Sequence, residues 1–388
     1  MEMTRETLDR EFPSRRHAIQ FNHAAVAPIP ARAAAALADY TAALTGRASL
    51  DWRSWAREVD LVRERAATLI GADASVGGAR SVAIVANTTT GLAHVASGLD
   101  WKPGDSVVTT ATEFPANLAP WLDLARLGVE VRRVPTRDGA FAADDVAAAC
   151  DVRTRLVSLS AVAYQSGFVA PIQDVGAFCK DRGIVFGLDA IQAVGAVPVD
   201  VVAANVAFLS ADGHKWMLGP EGCGILFTTP AFRARLRAPS GWLNIRRSVV
   251  GDFEVPDRLD YVEGAEKFEV GALPMPGARA LAASLGLLLE IGLPEIGRRI
   301  GAVHAVLLDG LPRLGWEPVL FDGAPRSGIL SSRPPAGVDS RAAARHLEQN
   351  GIAASARGAF LRLSPHVGND EEEAERVLDA LRSFAQRP

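Results

Sequence analysis

The chain has 388 residues, 48% of them hydrophobic, and a formal net charge of −4, which suffices for a large domain with a smaller one, or for two similar ones. With no dense run of Lys or Arg and no apolar stretch long enough to span a bilayer, neither nucleic acid nor a membrane is an expected partner. The three cysteines, Cys150, Cys179 and Cys223, lie far apart without CxxC or metal-like spacing, so no structural disulfide and no metal centre are expected, and a reducing compartment is.

The first sixteen residues are charged and lack the apolar core of a secretion signal, so a cytoplasmic protein is expected. From about residue 80 to 230, short β-branched runs alternate with helix-like segments. The predicted strands are 81–86, 106–110, 129–134, 155–162, 184–188, 206–209 and 224–228. Several are apolar without alternation, the pattern of strands buried on both faces. Between them lie helical patterns such as 117–127, closed by Gly128. This rhythm predicts an α/β fold with a mainly parallel sheet flanked by helices, whose ligands bind outside the carboxyl ends of the strands. Residues 240–266 read as irregular. Beyond them the pattern predicts a long apolar helix at 277–291, one or two helices at 293–314, a strand at 328–332, and a helix at 340–349 stopped by Asn350-Gly351. In the last helix Asn369 is the expected cap, Glu371 to Glu373 suit the N-terminus, and Ala374, Val377, Leu378, Leu381 and Phe384 form one apolar stripe. The expected division is an N-terminal arm, 1–20, joining the smaller domain, a large domain, 21–264, and a small α+β C-terminal domain, 265–388. No internal repeat is evident.

The most informative segment is 210–220, Ser-Ala-Asp-Gly-His-Lys-Trp-Met-Leu-Gly-Pro. Lys215 stands just past one apolar strand, and a Gly-Pro turn leads to the next. A lysine held against apolar walls is poorly solvated, which lowers its pKa and makes it a nucleophilic amine suited to a Schiff base. Upstream, Gly187-Leu188-Asp189-Ala190-Ile191-Gln192 places a carboxylate at another strand end. A lysine for the aldehyde and an aspartate for the pyridinium nitrogen are what pyridoxal 5'-phosphate (PLP) requires.

At these residues the chain resembles the class V aminotransferase family of fold-type I PLP enzymes, whose members include cysteine desulfurases, isopenicillin N epimerase and kynureninase. The resemblance runs from about Phe21 to the C-terminus. It implies a seven-stranded sheet of mixed direction, an amino-acid substrate, and a homodimer with active sites near the subunit interface. By that resemblance Lys215 carries the cofactor and then removes the Cα proton, Asp189 holds the ring nitrogen, and Gln192 donates to the ring's phenolic oxygen. His214 orients the phosphate or the Schiff base. Thr88 and Thr89, in Asn87-Thr88-Thr89-Thr90-Gly91, hold phosphate at a helix start, where capping threonines would also be ordinary. Phe114 maps to the aromatic that stacks on the ring. Arg362, with Arg357 as a second candidate, binds the α-carboxylate, and Asn22 and His23 line the substrate side.

The pattern departs from the family at three places. The segment 354–358, Ala-Ser-Ala-Arg-Gly, lacks the nucleophilic cysteine that desulfurases carry there, and a persulfide relay needs a thiolate. Asp212 replaces a serine that helps the phosphate, so it must point away or pair with a cation or His214. Gly271-Ala272 lacks a threonine hydroxyl that reaches the partner's phosphate. The expected chemistry is Cα deprotonation, followed by transamination, epimerisation or loss of a β-substituent. Analogy favours elimination from a cysteine-like substrate, or epimerase-type chemistry, over a true aminotransferase or kynureninase-like reaction. A non-catalytic binding protein is the reading of another class. Trp242 and Asn244 are candidates for the entrance or the subunit interface, and Arg246 and Arg247 for an acidic substrate tail.

Overall fold

The structure, a computed structural model, describes residues 3–246 and 259–385. In chain order the strands are β1 Ile19–Gln20, β2 Val82–Val85, β3 Ser106–Thr110, β4 Glu130–Val134, β5 Thr154–Ser160, β6 Val185–Asp189, β7 Phe208–Asp212, β8 Gly224–Thr228, β9 Glu317–Pro318, β10 Leu330–Arg333, β11 Ile352–Ala353, β12 Ser355–Arg357 and β13 Phe360–Leu363. Strands β2 to β8 form one seven-stranded sheet in the order β2-β8-β7-β6-β5-β3-β4. Only the pairings of β8, with β7 and with β2, are antiparallel; the other strands run together.

The unbroken apolar strands have a physical cause on each face. On one face Ala83, Val85, Val107, Leu156, Phe208 and Leu226 pack with Leu92 and Val95 of the helix Thr88–Gly98 and with Trp121. On the other, Ile84, Val108, Val157, Phe186, Leu209, Ile225 and Phe227 pack with Val62 and Ala66 of Trp52–Leu69 and with Leu281, Leu285 and Leu288 of Met275–Ile291. A sheet covered on both sides has no polar face.

Several expectations shift in detail. The run at 206–209 becomes a strand that starts at Phe208 and reaches Asp212, because the ladder with β8 continues to the Asp212–Gly224 pair. The pattern at 117–127 is broken into a short helix, Ala119–Leu122, flanked by tight turns, and Gly128 closes it at φ 76°. The last helix, Glu371–Ala385, is capped by Asp370 rather than Asn369. Asp370 Oδ1 accepts the Glu373 N–H at 3.0 Å and Glu373 Oε2 the Asp370 N–H at 3.4 Å, while the Asn369 side chain turns to His366 N and Glu373.

A second core gathers Val303, Leu307, Leu311, Trp316, Leu330, Leu347, Leu361, Leu363 and Val377 around the sheet β12-β13-β10-β9. Residues 19–21 join it, since β1 pairs in parallel with β11 and Ile19 and Phe21 enter this core, whereas Met3, Leu8 and Phe12 belong to the first. The expected division at 264/265 falls ahead of a helix, Met275–Ile291, whose leucines belong to the first core. Among the described residues no single helix is long and apolar enough to cross a membrane.

Strand β2 lies at the sheet edge, and its outward Ile84 N–H is taken by Glu269 Oε1 at 2.8 Å. Glu269 Oε2 accepts from Arg63 Nη2 at 2.6 Å, with the carboxylate side chain 2% exposed. Removing one member of a buried ion pair strands the other. Glu269→Ala is therefore expected to lower stability by about 3–5 kcal/mol, read as a fall in the urea midpoint. An unchanged midpoint would show that β2 does not depend on this carboxylate.

Candidate active site

Parallel strands end together, so their carboxyl edge gathers side chains distant in sequence. Asp189 ends β6. Its Oδ1 accepts the Ile191 N–H at 3.0 Å; its Oδ2 is buried without a partner among the described residues, in a residue 2% exposed. Burial raises its pKa to about 7; the Ile191 bond opposes this, the Glu113 charge adds to it and the Lys215 charge opposes it. An unmatched buried oxygen is costly, so the site is built to receive a donor there.

Lys215 lies in the turn after β7, whose path demands small residues. A Cβ on Gly213 would sit 2.5 Å from the Cys223 carbonyl oxygen, and Leu218 takes a left-handed φ of 57° with its carbonyl accepting Ser284 Oγ at 2.7 Å. The Lys215 residue is 8% exposed. Burial lowers its pKa to about 8, against the attraction of Asp189; the charges of Arg362 and Arg357 push the same way as burial, and Asp212 opposes them. Its Nζ is 5.6 Å from the Phe114 ring centre. Phe114 is 41% exposed, so it is not core, and it meets Tyr164 edge-on at 5.1 Å. The preceding Glu113 pins this loop: it accepts from Thr110 Oγ1, from Ser160 N at 2.9 Å and from Ser160 Oγ at 2.5 Å.

Thr88 opens the helix Thr88–Gly98, and Asn87 caps it by accepting the Thr90 N–H at 2.9 Å. The Thr88 hydroxyl accepts the Asp212 N–H at 3.0 Å, tying the helix start to the end of β7. Gly91 permits the approach, since a Cβ there would lie 2.3 Å from Ser210 Oγ. Thr89 is exposed and lines a groove of about 650 Å³ with Asn87, Thr90 and His94. Asp212 is turned toward His214: Oδ2 lies 3.0 Å from Nδ1, off the line of an aligned hydrogen bond, while Oδ1 accepts the Gly213 N–H at 2.7 Å.

Gln192 is held by protein groups at both ends. Its Nε2 donates to Ala24 O at 3.0 Å and its Oε1 accepts Trp216 Nε1–H at 2.8 Å, which leaves one amide N–H. His23 is shut in by Ser364, Trp216 and His366, and burial lowers its pKa to about 4, so it is neutral. Asn22 bridges to Ser364 and accepts the Ser355 hydroxyl.

Arg362, on β13, is 1% exposed. Its Nη1 donates to Tyr164 O at 2.8 Å, while Nε and Nη2 are buried without partners among the described residues. Burial lowers its pKa to about 9, with the Arg357 charge adding to the effect. Two free donors on one guanidinium edge fit the fork of a carboxylate. Arg357, half-buried on β12, donates only to its neighbour Ala356 O, at 3.2 Å. Asn244 is buried and ties Pro239 O to Lys267 O, so it holds a loop rather than lining an entrance. Trp242 is 50% exposed. Arg246 pairs with Glu263 and Asp260, and Arg247 lies outside the described residues.

Glu113, Tyr164 and Trp216 had no role assigned from sequence. Glu113 sits in the Thr-Glu-Phe motif and Trp216 beside Lys215, so position was the available signal. Tyr164 is reached only through the fold. The open Asp189 oxygen, the desolvated Lys215 amine and the helix start at Thr88 fit the ring nitrogen, aldehyde and phosphate of PLP.

If burial governs Lys215, then in cofactor-free protein its labelling by trinitrobenzenesulfonate will rise with a midpoint near pH 8. Mapped peptides of exposed lysines serve as controls; a Lys215 midpoint near the ordinary lysine value would contradict the desolvated site.

The family model for aminotransferase class-V matches residues 19–369. A probable cysteine desulfurase of Methanothermobacter thermautotrophicus is 28% identical, over 99% of this chain and 98% of its own. The solved complex of the cystine C-S lyase C-DES with its product cysteine persulfide superposes with a TM-score of 0.87 at 26% identity, covering 97% of this chain and 99% of that one. A lysine-to-alanine C-DES mutant with glycine covalently linked to the PLP cofactor gives 0.88 at 26% identity, over 98% and 99%.

Proposed function

The chain belongs to the class V aminotransferase family and is a PLP-dependent enzyme, and we propose that it is a C–S β-lyase that takes a cysteine-type amino acid and releases the sulfur as a small molecule. One observation carries this reading. By the family resemblance the segment 354–358, on the hairpin β12–β13, corresponds to the loop that carries a desulfurase's acceptor thiol, and in this chain it reads Ala-Ser-Ala-Arg-Gly. The chain's own thiols do not replace it. Burial pushes Cys223 and Cys179 up to about 12, and Cys150, also raised by burial, precedes the amino end of β5, the opposite edge of the sheet from Asp189. An acceptor thiol needs the reverse, a low pKa and access. The relative described as a cystine C-S lyase supports the same reading.

When bound, PLP supplies an aldehyde for an amine and an electron-withdrawing ring that acidifies the attached Cα–H. Lys215 holds the aldehyde, and its lowered basicity leaves free amine near neutral pH to take the Cα proton. Asp189 Oδ2 keeps the ring nitrogen protonated. Phe114 covers the ring face, Thr88, Thr89 and His214 hold the phosphate, and the remaining Gln192 N–H serves the phenolic oxygen. Arg362 grips the α-carboxylate through Nε and Nη2, with Arg357 beside it. The proton leaves Cα for Lys215, the Cβ–S bond breaks with its electron pair on sulfur, and the released enamine takes up water to give pyruvate and ammonia. A homodimer belongs to this reading, with the exposed Thr89 and Trp242 among the groups a second copy would cover.

The PLP-loaded protein, given L-cystine and L-cysteine in turn, is expected to form pyruvate and ammonia in equal amounts, with persulfide or sulfide. Alanine as the main product would instead mean desulfuration, and racemised substrate alone would mean epimerisation; either removes the lyase assignment. Arg362→Lys loses the planar fork and is expected to cost about 2–5 kcal/mol in kcat/KM, a fall of roughly 30- to 4000-fold. Retention of kcat/KM would move the carboxylate clamp to Arg357.

A further inference from the structure

Asp212 is a carboxylate at the doorstep of a phosphate site. Its backbone N–H touches the hydroxyl of Thr88, the first residue of the helix Thr88–Gly98. Its side chain is 7% exposed, and among the described residues no Lys or Arg forms an ion pair with it. Its Oδ1 accepts the Gly213 N–H at 2.7 Å, and its Oδ2 lies 3.0 Å from His214 Nδ1. A phosphate dianion arriving at this helix start meets a fixed negative charge within a few ångströms, which is repulsive in a poorly solvated site. The geometry also offers the remedy. The imidazole lies against that carboxylate, 3.0 Å away without an aligned hydrogen bond, and is the group placed to carry a balancing positive charge.

We propose that Asp212 is a positioning residue acting through His214, and that the pair takes up one proton when the cofactor's phosphate binds, so that an imidazolium stands between two anions. The proton comes from solvent and goes to the His214 ring, and no other bond changes. This rests on the cofactor site alone and not on which bond of the substrate is cleaved. The other groups around the pair are few. Lys215 follows His214 directly and itself feels Asp189, Arg357 and Arg362; Cys223, ahead of β8, feels Asp212. The helix side contributes the uncharged Thr88 and Thr89, and the segment before it a backbone group, Ala27 N–H, which donates to His214 O at 2.8 Å.

The probe is 4'-deoxypyridoxine 5'-phosphate, which lacks the aldehyde and so cannot react with Lys215. Calorimetry at pH 8 in buffers of different ionisation enthalpy counts the protons taken up on binding. The wild type is expected to take up close to one proton more than Asp212→Asn, and its Kd to rise toward tenfold per pH unit more steeply than the variant's, by linkage. Asp212→Asn preserves the size of the side chain and the acceptor for Gly213. His214→Gln should lose the same proton, and the double variant no more than either single one. Ring ¹⁵N shifts of His214 should show both nitrogens protonated with the probe bound. Equal proton counts in wild type and Asp212→Asn would overturn the proposal, as would a neutral His214 ring in the complex. So would tighter binding by the variant with no change in count, which would make Asp212 simply repulsive.

Discussion

Ionisable groups withdrawn from water, with some of their polar atoms left open, are the constraint on which the molecule turns. Asp189, Lys215 and Arg362 are each no more than 8% exposed. Asp189 keeps a free oxygen, and Arg362 keeps two free nitrogens. An isolated buried charge costs several kcal/mol, and the directions of all three pKa shifts, up for the acid and down for the bases, register that cost. Such a site persists only if the surrounding structure leaves its side chains no cheaper place to go. The same cost favours the ligand: a donor at Asp189, an aldehyde at Lys215 and a carboxylate at Arg362 each relieve it.

Rigidity comes from the sheet and from close approach. Gly187 lies so near the Phe208 ring that a Cβ would meet it at 1.9 Å, which keeps β6 and β7, the strands that carry Asp189 and lead to Lys215, tightly fitted. Glu113 fastens the loop before Phe114 to Ser160, at the end of β5. The second core is joined to the first through the segment after β5. Arg362 donates to Tyr164 O, Ser331 to Gln165 O, and Ser327 to Gly167 O at 2.8 Å. Arg362 is thereby tied to the sheet that carries Asp189 and leads to Lys215, although its strand belongs to another core.

Two features set this site apart from the family pattern. The hairpin β12–β13 turns tightly through Gly358 at φ 59° and offers a hydroxyl and a guanidinium in place of a thiol. That hairpin therefore offers no thiol. At the phosphate end an aspartate occupies a place suited to a neutral hydroxyl, and its histidine partner answers the added charge. Both substitutions alter what surrounds the cofactor while leaving the lysine and aspartate that define it.

Much of the site was legible in the chain because its chemistry is local. Lys215 with His214 and a Gly-Pro turn, Asp189 with Gln192, and the threonines before a helix are short runs at strand ends, and apolar runs of five or so residues marked the strands themselves. The choice between readings for Asp212 was not local, since neighbours in sequence give no side-chain direction; the register of β7 with β8 decided it. The surroundings of His23 were not local either, because Trp216 and His366 arrive from elsewhere in the chain to pack against its ring. The helix Met275–Ile291 shows the same limit, as an apolar stripe does not say which core it enters. Sequence alone determined the α/β rhythm and the cofactor. Tertiary structure alone decided burial, and with it which charges stay open, how far each pKa moves and which arginine keeps open donors, because desolvation depends on atoms brought together by the fold and not on neighbours along the chain.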